Sequence, residues 1–167
     1  MLETSDFSKR RAIQFVQDGM SLASQGRLHE AKSLFSRSLE LLPTAEGYTY
    51  LGWMLSFEGY VQEAIDLCKQ AIETDPSFGN PYNDIGSYLI RLGNLDEAIP
   101  WLEKAKTAAR YEPKQFPHLN LSKIYLAQGK LQEAELELRQ ALKYEPGNIS
   151  VHALLVKIQK EKPKDQK

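Results

Sequence analysis

The sequence predicts an all-α chain, a right-handed superhelical solenoid of antiparallel helix pairs. Three observations predict it. A short fragment recurs four times: GRLHEA at 26–31, GYVQEA at 59–64, GNLDEA at 93–98 and GKLQEA at 129–134. Its glycines, Gly26, Gly59, Gly93 and Gly129, stand 33, 34 and 36 residues apart, the period of stacked helical units. Each fragment lies between two apolar stripes of helical spacing, such as Tyr48, Leu51, Gly52 and Leu55 before Gly59, and Ala64, Leu67, Cys68 and Ala71 after it. Pro43, Pro76 and Pro146 then follow the second stripe of three units, where they stop a helix.

Taken in order, residues 1–11 read as an N-terminal segment. It has two acidic side chains and no apolar run, so no secretory signal is visible. Residues 12–148 divide into four units, 12–44, 45–78, 79–114 and 115–148. In each, the glycine between the stripes supplies the positive backbone angle of a tight helix–helix turn. The small residues Gly52, Gly86, Ala64 and Ala98 let paired helices approach, while Tyr48, Tyr82 and Phe35 fill the remaining volume. In the third unit Asn94 and Glu97 have the spacing of a capping box. Pro100 is expected to bend that unit's second helix. Two additional residues fall within KTAARYEPKQF, predicting a longer helix or a looser turn. Trp101 shares a stripe with Ala98, Leu102 and Ala105 and is expected in the core. Residues 149–160 carry the apolar spacing of a capping helix with a polar outer face. Residues 161–167 read as a polar tail.

These positions resemble the tetratricopeptide repeat. The second unit carries Tyr48, Leu51-Gly52, Leu55, Gly59, Ala64, Ala71 and Pro76. The first keeps Phe15, Gly19, Leu22, Gly26, Ala31, Phe35 and Pro43. The third keeps Tyr82, Ile85-Gly86, Leu89, Gly93, Ala98, Leu102 and Ala105. The fourth keeps Leu121, Tyr125, Gly129, Ala134, Leu138, Ala141 and Pro146. Asp18 and Ser122 depart from the pattern, where the repeat favours leucine and glycine.

The resemblance implies that the first helix of each pair lines a concave surface where peptide partners bind. A helix advances about 100° per residue. Within residues 50–57, YLGWMLSF, this separates Leu51, Gly52 and Leu55 (core), with Met54 at the flank, from Tyr50, Trp53 and Phe57 on the opposite side. Carried to the other units, the expected groove is apolar at one end and polar, mildly basic, toward the other. Its residues are Met20, Tyr50, Trp53, Phe57, Asn83, Asp84, Arg91, Phe116, Asn120, Lys123 and Lys157. The N-terminal segment or a second copy of the chain are the alternative covers for Tyr50 and Trp53. Relatives that grip chaperone C-termini use Lys, Asn and Arg on successive inner faces. The matching places here hold Val16, Met20, Tyr50, Asn80 and Asp84, or Thr49, Trp53, Asp84, Phe116 and Asn120, so no such carboxylate clamp is expected.

Other chemistry finds little footing. Net charge is −1, which gives no global pull toward nucleic acid or anionic lipid, and no apolar run is long enough to insert in a membrane. His29-Glu30 begins like a metalloprotease motif, but residue 33 is Ser. His29, His118 and His152 lie in separate units without a local Cys or acidic cluster, so no metal or other cofactor is expected. The lone Cys68 reads as a buried hydrophobe and fits a reducing, cytoplasmic setting. Glu30, Glu63, Glu97 and Glu133 recur because second helices begin there, where the helix dipole favours acid. The expectation is a non-catalytic module that binds a protein or peptide segment. A self-assembling homo-oligomeric scaffold and a small chaperone for a secreted protein are the alternatives.

Overall fold

The computed structural model describes the backbone of residues 2–161 and side chains from residue 6 onward. Nine helices make up the described residues: α1 Leu2–Ser24, α2 Leu28–Leu41, α3 Ala45–Phe57, α4 Val61–Thr74, α5 Asn80–Arg91, α6 Leu95–Thr107, α7 Gln115–Ala127, α8 Leu131–Tyr144 and α9 Ile149–Glu161. They pair as α1/α2, α3/α4, α5/α6 and α7/α8, with α9 against α8. Along one side α1 meets α3, α3 meets α5, and α5 meets α7, so the first helices form a continuous inner row. The architecture is the solenoid that the repeat predicts.

The turns within the pairs follow from one residue each. Gly26, Gly59, Gly93 and Gly129 have φ of 77°, 92°, 81° and 71°, values that a side chain disfavours. Close helix contact follows from other glycines. A Cβ on Gly86 would lie 2.5 Å from Leu102 Cδ2, and one on Gly19 would lie 2.6 Å from the Phe35 ring. Phe35 is fully buried, which contributes about 2–3 kcal/mol. The principal core joins Ala64, Ile65 and Cys68 of α4 to Ile85, Tyr88 and Leu89 of α5, Ala98 and Leu102 of α6, and Leu121 and Ile124 of α7. A second core, Ala134, Leu138, Val151, Leu155 and Ile158, fixes the last helix.

Several local expectations are corrected. The segment 1–11 is not separate, because α1 begins at Leu2 and runs through residue 12 without a break. Met54 is core, not flank: it is 2% exposed beside Ala23, Ala31 and Phe35, because α2 also packs on α3. Trp101 is only partly buried, under the Lys104 ammonium and 6.2 Å from the Tyr82 ring. Asn94 makes no side-chain cap. Its backbone is already used, with N–H donating to the Leu89 carbonyl and C=O accepting from Ala98. Side-chain caps occur instead at Thr44, which accepts from Gly47 N–H, and Asn148, which accepts from Val151 N–H. Pro100 lies inside α6, where the sequence put it. The tail expected at 161–167 begins within α9 at Glu161, and the rest lies outside the described residues.

The extra length of the third unit becomes a looser connection. With α6 ending at Thr107, residues 108–114 fold back on the α4–α5 turn. Arg110 N–H donates to the Ser77 carbonyl at 2.9 Å, and Gly79 N–H donates to the Arg110 carbonyl at 2.8 Å. The Arg110 guanidinium pairs with Asp75 at 2.6 Å and with Glu46, and lies over the Phe78 ring. This anchoring presses Tyr111 against Gly79 and leaves it 5% exposed.

Candidate functional site

The inner row of first helices borders three adjoining cavities of about 660, 510 and 260 Å³. Met20 and Tyr50 form walls common to the first two, and Phe116, Asn120 and Lys123 are common to the second and third. Shared walls make them one groove. Its first end lies between α1 and the start of α3 and is mainly apolar, with Ile13, Val16, Met20 and Leu42 beside Lys9 and Glu46. Its middle combines Tyr50, Trp53, Tyr111 and Phe116 with Asn83, Asp84 and Asn120. Its far end is apolar again, with Leu119, Val151 and Leu154 beside Asn148 and Ser150.

Eight of the residues singled out in the sequence line this groove: Met20, Tyr50, Trp53, Asn83, Asp84, Phe116, Asn120 and Lys123. Three do not. Phe57 is 57% exposed, lines none of the three cavities and meets Trp53 in a tilted contact with ring centroids 5.4 Å apart. Arg91 turns away, its Nη2 donating to the Ser56 carbonyl near the C-terminus of α3, where a cation complements the helix dipole. Lys157 is outside the groove and lies 3.9 Å from Glu161. Sequence periodicity missed Tyr111 and Pro113, which come from the 108–114 connection, not from a helix face. The two-residue lengthening of that unit was their one signal.

Without Arg91 and Lys157, the groove is less basic than the sequence implies. Its middle holds one lysine and one carboxyl, and two amides tie the lysine side together. Lys123 Nζ donates to Asn120 Oδ1 at 3.2 Å, and Asn120 Nδ2 donates to Asn83 Oδ1 at 3.0 Å. Asn83 adjoins Asp84 in the chain, and its side chain acts to lower the Asp84 carboxyl. The amides of Asn83 and Asn120 are thus partly committed to one another. Burial pushes the Asp84 carboxyl up to about 7, and the Asn83 side chain only partly offsets this. Burial also raises the Tyr50 and Tyr111 hydroxyls, and Asp84 adds to both shifts.

Away from the groove, Cys68 is fully buried and its thiol is pushed upward by burial. A buried ionic cluster joins the third and fourth units. Glu137 of α8 meets His118 Nδ1 of α7 at 2.5 Å and Lys106 Nζ of α6 at 3.0 Å, and Glu103 also pairs with Lys106. His118 was read as solitary from the sequence, because its partners are distant along the chain. No group of three or more His, Cys, Asp or Glu suited to a metal occurs among the described residues. Among them, too, no helix is long and apolar enough to cross a membrane.

Two family models, both described as tetratricopeptide repeat, match residues 45–78 and 77–144. The chain is 28% identical over 148 residues to the TPR repeat-containing protein YpiA of Bacillus subtilis, which covers 87% of this chain and 34% of YpiA. It thus spans about a third of that relative's length. Among solved structures, Pseudomonas aeruginosa PilF superposes with a TM-score of 0.84 at 20% identity, over 94% of this chain and 70% of that one. YrrB, a TPR protein described as having an unusual peptide-binding site, superposes with a TM-score of 0.65 at 20% identity, over 95% and 81%.

Proposed function

Since this chain belongs to the tetratricopeptide repeat family, we propose that it is a non-catalytic interaction module that holds an extended segment of a partner protein in its inner groove. The observation that carries this reading is the continuity of the groove. Three cavities with shared walls span α1 to α9, a length suited to a peptide and not to a compact metabolite. Apolar ends would bury partner side chains, and Trp53, Tyr50 and Phe116 are the residue types that dominate binding energy when desolvated. The peptide-binding description of YrrB agrees in kind.

The test is affinity capture with wild-type protein beside a Trp53→Ala/Phe116→Ala double variant, with bound proteins identified by mass spectrometry. Both rings lie on the groove wall; Phe116 is exposed, and Trp53 is half-buried at the edge of the core around Met54. The variant is expected to keep helical circular dichroism and to lose its partners. Undiminished capture by a folded variant overturns the groove as the binding surface.

A further inference from the structure

We propose that the middle of the groove is a seat for a positively charged side chain, lysine or arginine, of the bound segment, with Asp84 as its counter-ion and Tyr50, Trp53 and Phe116 as its walls. The inference rests on the groove being the binding surface and adds what the groove selects.

Three observations converge on this seat. The first is an unpaired carboxyl. Asp84 is partly buried, lines the cavity and takes part in none of the ion pairs of the described residues. Arg110 is spent on Glu46 and Asp75, and Arg91 on the Ser56 carbonyl. Lys123 is held by Asn120. A buried carboxylate without a partner is costly, and an incoming cation removes that cost. The second is the aromatic surround, since an ammonium or guanidinium is attracted to ring faces, most strongly to tryptophan. The third is Tyr111, 95% buried on the same cavity, whose enclosed hydroxyl has no hydrogen-bond partner and brings no positive charge to the seat. An anionic segment would meet the same carboxyl with repulsion, so the charge of the partner is fixed by the site.

The groups facing Asp84 are Tyr50 on α3, Cys68 on α4, Tyr88 on its own helix, Tyr111 on the connection and Lys123 on α7; α1 contributes Met20, and α6 contributes no lining residue. The tyrosines and the thiol are all shifted upward, away from neutrality. Asp84, held near 7, therefore changes charge across the neutral range, and a cation binds its ionised form.

The experiment uses the full chain and a random linear-peptide phage library as probe. Recovered peptides should share one lysine or arginine at a fixed position. Replacing that residue by norleucine should weaken binding to wild type about tenfold or more and weaken binding to Asp84→Asn markedly less. Affinity for wild type should rise about tenfold from about pH 6 to about pH 8, following the ionised fraction of Asp84. Peptides without a fixed cation, an unchanged Kd with norleucine, or binding that strengthens toward acid pH overturn the inference. The last outcome would make protonated Asp84 a hydrogen-bond donor to the peptide. If Trp53→Ala/Phe116→Ala abolishes binding while norleucine does not weaken it, the groove stands and the charge selection falls. If no peptide is recovered, or the double variant binds normally, both fall.

Discussion

Asp84 shows how one residue can cost stability and still be the informative part of a site. Its carboxyl is ordinary in the unfolded chain, near 3.8, and raised to about 7 in the fold. Between those values the folded state holds a proton that the unfolded state has lost. Unfolding free energy therefore falls as pH rises through that window, and the penalty is complete above it. Asp84→Asn removes the charge and should stabilise the protein by about 2 kcal/mol at about pH 8, with the advantage vanishing below about pH 4. Denaturant melts of both proteins across pH measure this. A variant no more stable than wild type at alkaline pH would show that the carboxylate is well solvated. The sequence placed Asp84 on the inner face by helical phase alone. It could not show that the residue lacks a partner, because Arg91, the apparent cation about two turns away, turns to the Ser56 carbonyl instead.

At the scale of elements, legibility followed locality. Turn glycines, helix stripes and the small residues at helix contacts are short-range features, and the structure has them where the spacing put them. Met54 escaped because each helix has two neighbours: the phase that pairs α3 with α4 says nothing of the side packed on α2. The 108–114 connection escaped for a related reason. Its length was visible, but its docking depends on residues more than thirty positions earlier. Gly79 is the point of contact. Its φ of −82° suits any residue, so only space requires glycine there. A Cβ would lie 2.4 Å from Tyr111 Cβ and 2.9 Å from Ala108 Cβ. Gly79→Ala should therefore cost about 1–3 kcal/mol and lift the connection from the α4–α5 turn. Hydrogen exchange reads this directly, since the Gly79 and Arg110 amides bond across that junction. Unchanged protection of both amides would show that the connection has room to yield. The same variant moves Tyr111, so it links this element to the middle of the groove.

Across the whole molecule, stability in a stacked array is the sum of units and of the interfaces between neighbours. Most of those interfaces here are apolar, as in the core running from Ala64 to Ile124. The junction of the third and fourth units differs because Glu137 bridges α6 and α7 from α8, through Lys106 and His118, while 7% exposed. Burial raises the Glu137 carboxyl, but the His118 and Lys106 contacts outweigh it and hold the group below its ordinary value. A depressed carboxyl contributes stability above its unfolded value that is lost as pH falls through the folded one, so this junction weakens below about pH 4.5. Glu137→Ala leaves Lys106 to Glu103 alone and His118 facing a buried gap, and should cost about 1–3 kcal/mol. Because only neighbouring units communicate, that loss should not spread evenly. The part from α7 to α9 should melt first, splitting one unfolding transition into two. Calorimetry detects the split, and Trp53 and Trp101 fluorescence, both on the N-terminal side of the junction, should follow the later step. A single coincident transition would mean that the apolar contacts between α5 and α7 keep the array cooperative without the ionic bridge.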